Sequence, residues 1–161
     1  MRPAVLLDVD GVLNPLSVSC PAGFIELRLA GYDVQLNPAL HTPMLRQLAQ
    51  VGELVWATTW EHDANAFISG RYGLPADLDV IEIAGADATA PTWKLADIAA
   101  WADRHPDRPI VWLDDEARQD AHQWAAGRAA ATLIVAVDGQ TGITQQHVDQ
   151  VLSWAGGLTK E

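Results

Sequence analysis

Two aspartates, Asp8 and Asp10, stand one residue apart directly after the apolar run AVLL (4–7), and Gly11 follows them at once. A second apolar run, ELVWA (53–57), ends in Thr58 and Thr59, and a third, PIVWL (109–113), ends in Asp114, Asp115 and Glu116. Each alone is an ordinary polar residue at a strand end. Taken together, the four aspartate carboxylates brought to one place repel one another unless a cation lies between them. Hard oxygen donors of this kind suit Mg²⁺. Lys94, in APTWKLAD, adds a positive charge near the start of a helix, where free backbone N–H groups also favour an anion. A threonine hydroxyl, a lysine and a metal held by carboxylates are what a phosphoryl group needs: neutralised oxygens and a fixed orientation.

Other metal chemistries fit poorly. The five histidines, His41, His62, His105, His122 and His147, are scattered without zinc-ligand spacing, and surface or capping positions are expected for them. An EF-hand reading of D-x-D-G fails because Val12 and Ser19 stand where calcium ligands are required.

Positioning these groups requires a sheet. AVLL, ELVWA, LDVIEI (78–83), PIVWL and TLIVAV (132–137) are short, nearly continuous apolar runs, as in strands buried on both faces of a parallel sheet. Helical stretches alternate with them: TPMLRQLAQVG with Thr42 as N-cap and Pro43 in the first turn, EHDANAFISGRYG, WKLADIAAWADRH, EARQDAHQWAAG and TQQHVDQVLSWAGG. The order predicts an α/β, doubly wound, Rossmann-like domain over 1–161 with a five-stranded parallel sheet and helices on both faces. One stretch breaks the alternation. GFIELRLAGYDVQLN predicts a β-hairpin, inserted at 24–37, that projects as a flap after the first strand. In such sheets ligands bind beyond the carboxyl ends of the strands, where the strand order reverses.

A net charge of −11 excludes a general polyanion binder. No run approaches the ~20 apolar residues of a membrane span, and the apolar start is too short for a secretory signal, so a cytoplasmic protein is expected. The single cysteine, Cys20, allows no internal disulfide.

The motifs LLDVDG (6–11), VWATTW (55–60), Lys94 and VWLDDE (111–116) resemble, in order, those of the haloacid dehalogenase-like (HAD) superfamily of phosphohydrolases. DVDGVLNPL, TTWEHDAN and TGIT…VLSW are also similar to the HAD domains associated with Swiss Army Knife RNA repair proteins. The resemblance implies that Asp8 is the nucleophile and Asp10 the general acid and base, with an aspartyl-phosphate between two steps. It also implies that Thr58, Thr59 and Lys94 bind phosphoryl oxygens. Mg²⁺ would be held by Asp8, by Asp10 through its carbonyl, and by an acid of the Asp114 and Asp115 pair.

With room only for the hairpin after the first motif, the chain resembles capless members, which act on large substrates or borrow a cover from another subunit, so a homo-oligomer is one expectation. A nucleotide or other small phosphomonoester and a phosphorylated nucleic-acid end stand as alternative substrates. Arg28, Asn14 and Trp60 are candidate substrate contacts. The competing reading is a catalytically silent binding module that uses some of the seven tryptophans as its surface. A receiver domain also combines paired acids, Thr and Lys, but there the lysine comes last. Here an acidic pair follows Lys94.

Overall fold

The computed structural model describes residues 1–158, and at its centre lies β1 (Ala4–Leu7), buried along its whole length. Two parallel neighbours flank it, β4 (Glu53–Trp56) and β6 (Ile110–Asp114). The edges are β5 (Asp79–Val80), beside β4, and β7 (Thr132–Ala136), beside β6, which gives the order β5-β4-β1-β6-β7. The chain first winds outward from β1 through β4 to β5, then crosses back to β6 and β7. Strand order therefore reverses between β1 and β6, the place where an α/β sheet opens a crevice at its carboxyl edge.

Alternate side chains of β1 enter two cores. Val5 and Leu7 pack with Leu45 and Leu48 of α1 (Pro38–Val51) and Val148 and Val151 of α4 (Gln145–Leu158). Ala4 and Leu6 pack with Ile98 and Trp101 of α2 (Leu95–Asp103) and Ala121 and Ala125 of α3 (Gln119–Gly127). Burial on both faces explains why the strands are apolar without alternation. No helix among the described residues is long and apolar enough to cross a membrane.

The expected hairpin is present as β2 (Ile25–Leu29) and β3 (Tyr32–Leu36), a separate antiparallel pair. Ala30 and Gly31 turn between the strands with φ of 49° and 86°, the two positive values that a tight hairpin turn requires. Leu27, Leu29 and Val34 pack on the core, which leaves Glu26, Arg28 and Asp33 on the opposite face.

Three local expectations need correction. Helix α1 begins at Pro38, not after Thr42: Asn37 caps it by accepting from the Leu40 N–H at 3.1 Å, and Pro43 lies inside the helix. Both prolines offer a start, and the one preceded by a side-chain cap prevails. Residues 61–73 form no continuous α-helix but a π-helical turn (Ala64–Ile68) followed by a 3₁₀ turn (Ser69–Tyr72). The wider turn lets Asn65 and Ser69 accept together from the buried Trp56 indole, at 3.1 and 3.2 Å. Of the run 78–83 only Asp79 and Val80 pair as strand, because β4 ends at Trp56, and Ile81 and Ile83 then turn into the core.

Candidate active site

Register brings the acidic strand ends together. Leu7 lies opposite Leu113 of β6 and Trp56 of β4, so the next residue, Asp8, emerges beside Asp114 on one side and the Ala57–Thr58 segment on the other. The Asp8 N–H donates to the Leu113 carbonyl at 3.3 Å. Both carboxylates are buried, at the crevice where strand order reverses.

Lys94 caps the start of α2 and reaches into this crevice. Its Nζ donates to Asp8 Oδ2 at 2.5 Å and to Asp114 Oδ2 at 2.8 Å, all three side chains being at least 95% buried. Local bonds fix the remaining oxygens: Asp8 Oδ1 accepts from the Val9 N–H at 2.7 Å, and Asp114 Oδ1 from the Glu116 N–H at 2.8 Å. Thr92 ties the lysine's segment to α3, its N–H and hydroxyl both donating to Asp120. The Trp93 indole, next to the lysine, donates to Glu116 at 2.5 Å.

Asp115 joins them, and one oxygen from each of Asp8, Asp114 and Asp115 lies within 4.8 Å of the others. Its side chain occupies a slot between two glycines. A Cβ on Gly11 would stand 2.2 Å from Asp115 Cγ, and a Cβ on Gly139 would stand 2.6 Å from Asp115 Oδ2. Gly11 also has φ of +78°, which L side chains rarely adopt. The expected glycine thus serves both the turn and the carboxylate, while Gly139 escapes sequence reading.

Asp10 is different: its carboxylate stands outside the three-acid cluster. Oδ1 accepts from Asn14 Nδ2 at 2.8 Å and Oδ2 from the Trp60 indole Nε1 at 3.0 Å. Asn14 is held in turn by the hairpin, its Oδ1 accepting from the Gln35 N–H at 2.8 Å. Trp60 packs against the Tyr32 ring, with centroids 5.6 Å apart. Asn14 Nδ2 and Trp60 Nε1 therefore face Asp10, and of the two residues Trp60 lines the cleft beside it.

Electrostatics follow from this packing. Burial pushes the Asp8 carboxyl up to about 7; the Lys94 ammonium opposes that shift and the Asp114 charge adds to it. Burial likewise raises Asp115 to about 6, with Asp114 as the next cause. For Lys94, burial works against the charge, but Asp8 and Asp114 outweigh it and hold its pKa above the ordinary lysine range. Lys94 therefore stays charged, a single positive charge set among three acidic side chains. Such a cluster favours a further cation.

Thr58 is buried, with its hydroxyl accepting from the Trp60 N–H at 3.3 Å and helping to lower the Asp8 carboxyl, whereas Thr59 is exposed beside Asp10. Arg28 is not brought to the carboxylates. It pairs with Asp33 at 2.8 Å on the exposed face of the hairpin. His41, expected at the surface or in a cap, is fully buried, and burial lowers it to about 4. His147 does cap α4, accepting from the Thr144 N–H at 3.0 Å.

Residues 4–148 match the family described as the HAD domain in Swiss Army Knife RNA repair proteins. The chain belongs to that family. No curated protein and no solved structure matches it. In this HAD domain Asp8, Asp114, Asp115 and Lys94 gather at the carboxyl edge of the sheet, with Thr58 beside Asp8. Membership supports phosphohydrolase-type chemistry at the level of the superfamily, and the buried acidic cluster is compatible with metal binding.

Proposed function

We propose that this HAD domain is a Mg²⁺-dependent phosphomonoester hydrolase that works through an aspartyl-phosphate on Asp8. One observation carries the reading: Asp8 is gathered with Asp114, Asp115 and Lys94, while Asp10 is held apart by its own two donors. Two carboxylates with one residue between them thereby acquire different environments, as two different roles require.

The cluster fits Mg²⁺ because three carboxylates offer hard oxygens within 4.8 Å of one another and Lys94 leaves them in net negative charge. Asp8, Asp114 and Asp115 would hold the ion, with the Asp10 carbonyl. When bound it would neutralise phosphoryl oxygens.

The chain's own residues do the rest. An Asp8 carboxylate oxygen attacks phosphorus as the bond from phosphorus to the leaving oxygen breaks, and protonated Asp10 gives its proton to that oxygen. Water then attacks the phosphorus of the aspartyl-phosphate, its proton passes to Asp10, and the bond to Asp8 breaks to release phosphate. Lys94 and Thr58 bind the phosphoryl oxygens, Lys94 exchanging part of its contact with Asp8 for the incoming anion.

The family description makes nucleotides and phosphorylated RNA ends the first substrates to try. A panel of these, with small phosphomonoesters, assayed with Mg²⁺ and with chelator, tests the reading. Phosphate release that requires Mg²⁺ is expected. No release from any member, together with a melting temperature indifferent to Mg²⁺, would favour a silent binding module.

A further inference from the structure

A cleft of about 180 Å³ opens directly beside the Asp10 carboxylate, lined by Asp10, Tyr32, Thr59, Trp60 and Asp63. If Asp10 delivers a proton to the leaving oxygen, the leaving group must lie against this carboxylate, so the inference rests on the hydrolase reading. The cleft then receives whatever the phosphate is attached to.

Its walls restrict that group in three ways. Tyr32, at the start of β3, is 66% exposed and leans on the buried Trp60 at an interplanar angle of 57°, so its free ring face is available to stack on a planar ring. The volume lies below the roughly 300 Å³ of a pocket for a drug-sized ligand, which leaves room for one ring system with its substituents. Beside Asp10, Asp63 contributes a negative carboxylate, and among the described residues no lysine or arginine lines the cleft. The hairpin's Arg28 lies on its other face, turned to Asp33. A second phosphate placed here would meet the Asp63 carboxylate with no cation among the lining residues to offset the repulsion. Hydroxyl or amino groups, by contrast, have acceptors in Asp63 and in the Thr59 hydroxyl.

We propose that this cleft is the leaving-group subsite and that it takes a nucleoside bearing a single phosphate, its base stacked on Tyr32 and its donor groups on Asp63 and Thr59. Nucleoside bisphosphates are disfavoured by the same lining. The hairpin acts through an aromatic face and an absent charge, not through a phosphate clamp.

The test uses the full chain with Mg²⁺ and compares the 5′- and 3′-monophosphates of adenosine, adenosine 3′,5′-bisphosphate and acetyl phosphate. The wild type should use the better monophosphate at least tenfold more efficiently, in kcat/KM, than the bisphosphate. Tyr32→Ala should reduce kcat/KM for the monophosphate at least tenfold, and at least fivefold more than for acetyl phosphate, while Tyr32→Phe keeps most of it. Asp63→Lys should raise the bisphosphate relative to the monophosphate at least fivefold. Saturation-transfer NMR with adenosine alone should show binding to the wild type that Tyr32→Ala loses. Equal use of monophosphate and bisphosphate by the wild type, or adenosine binding unaffected in Tyr32→Ala, overturns the subsite. Tyr32-dependent adenosine binding without hydrolysis of any phosphate, acetyl phosphate included, would retain the subsite and reject the hydrolase reading.

Discussion

The Trp60 indole N–H donates to Asp10 Oδ2 at 3.0 Å, across fifty residues of chain, and holds the carboxylate oxygen that Asn14 does not bind. A general acid gripped at both oxygens delivers its proton along a fixed line. In the proposed mechanism Trp60 is thereby a positioning residue for the proton-transfer step.

Trp60→Phe keeps most of the ring volume and removes the donor. It should lower kcat/KM for alkyl phosphates about tenfold, roughly 1.4 kcal/mol of barrier. Acetyl phosphate, whose leaving carboxylate needs no proton, should lose far less. Rates measured across leaving groups of rising pKa check this, and an equal loss on all of them would assign Trp60 to packing alone.

Lys94 is the buried cation between Asp8 and Asp114, so Lys94→Met leaves two buried carboxylates without their shared partner. Breaking a buried pair in this way costs about 3–5 kcal/mol. The variant should melt well below the wild type in chelator and regain part of the difference with Mg²⁺. Equal melting temperatures in chelator would show that the ion pair does not support the apo fold.

Gly139→Ala isolates the slot around Asp115, because Gly139 lacks the positive φ of Gly11. The added methyl would force Asp115 aside. Residues that orient metal ligands affect metal affinity by about 10- to 100-fold, and a weakening of Mg²⁺ binding in this range is expected with the fold retained. Calorimetric titration with Mg²⁺ measures it; unchanged affinity would remove Asp115 from the ligand set.

Much of the site was legible in the sequence because burial on both faces makes the strands of a parallel sheet apolar runs, and the residue after each run must emerge at the carboxyl edge. Asp8, Thr58 and Asp114 follow from that rule, and Lys94 from its order among them. The grip on Asp10 was not legible. It depends on a turn in which Val12, Leu13 and Asn14 N–H groups all donate to the Val9 carbonyl, and on a hairpin folded back over it. Side-chain pairs of that kind are set by tertiary packing, which leaves no periodic trace. His41 was missed for the same reason: in α1 its ring is enclosed between Phe24 and Tyr72.

His41 supplies a pH dependence outside the acidic cluster. Burial lowers its pKa to about 4 from 6.5, with the Ile143 backbone opposing only weakly and neither ring nitrogen making a full hydrogen bond. The unfolded chain therefore binds a proton that the folded protein does not. Its contribution is full above pH 6.5 and is lost as pH falls towards 4, on the order of 3 kcal/mol in all. Denaturant unfolding of the wild type and His41→Phe at pH 7 and pH 4 checks this. The stability of the wild type relative to the variant should fall by that order between the two, and a constant difference would contradict a neutral buried imidazole.

In the proposed mechanism Asp8 bonds to phosphorus. The most direct test of that bond is the Mg²⁺-dependent kcat/KM of Asp8→Asn against wild type on the best phosphomonoester, with the fold checked by circular dichroism. Loss of the nucleophile should reduce the rate by at least ~10⁴-fold, about 5.5 kcal/mol of barrier, in a folded protein. Activity within tenfold of wild type in a folded Asp8→Asn variant would contradict an aspartyl-phosphate.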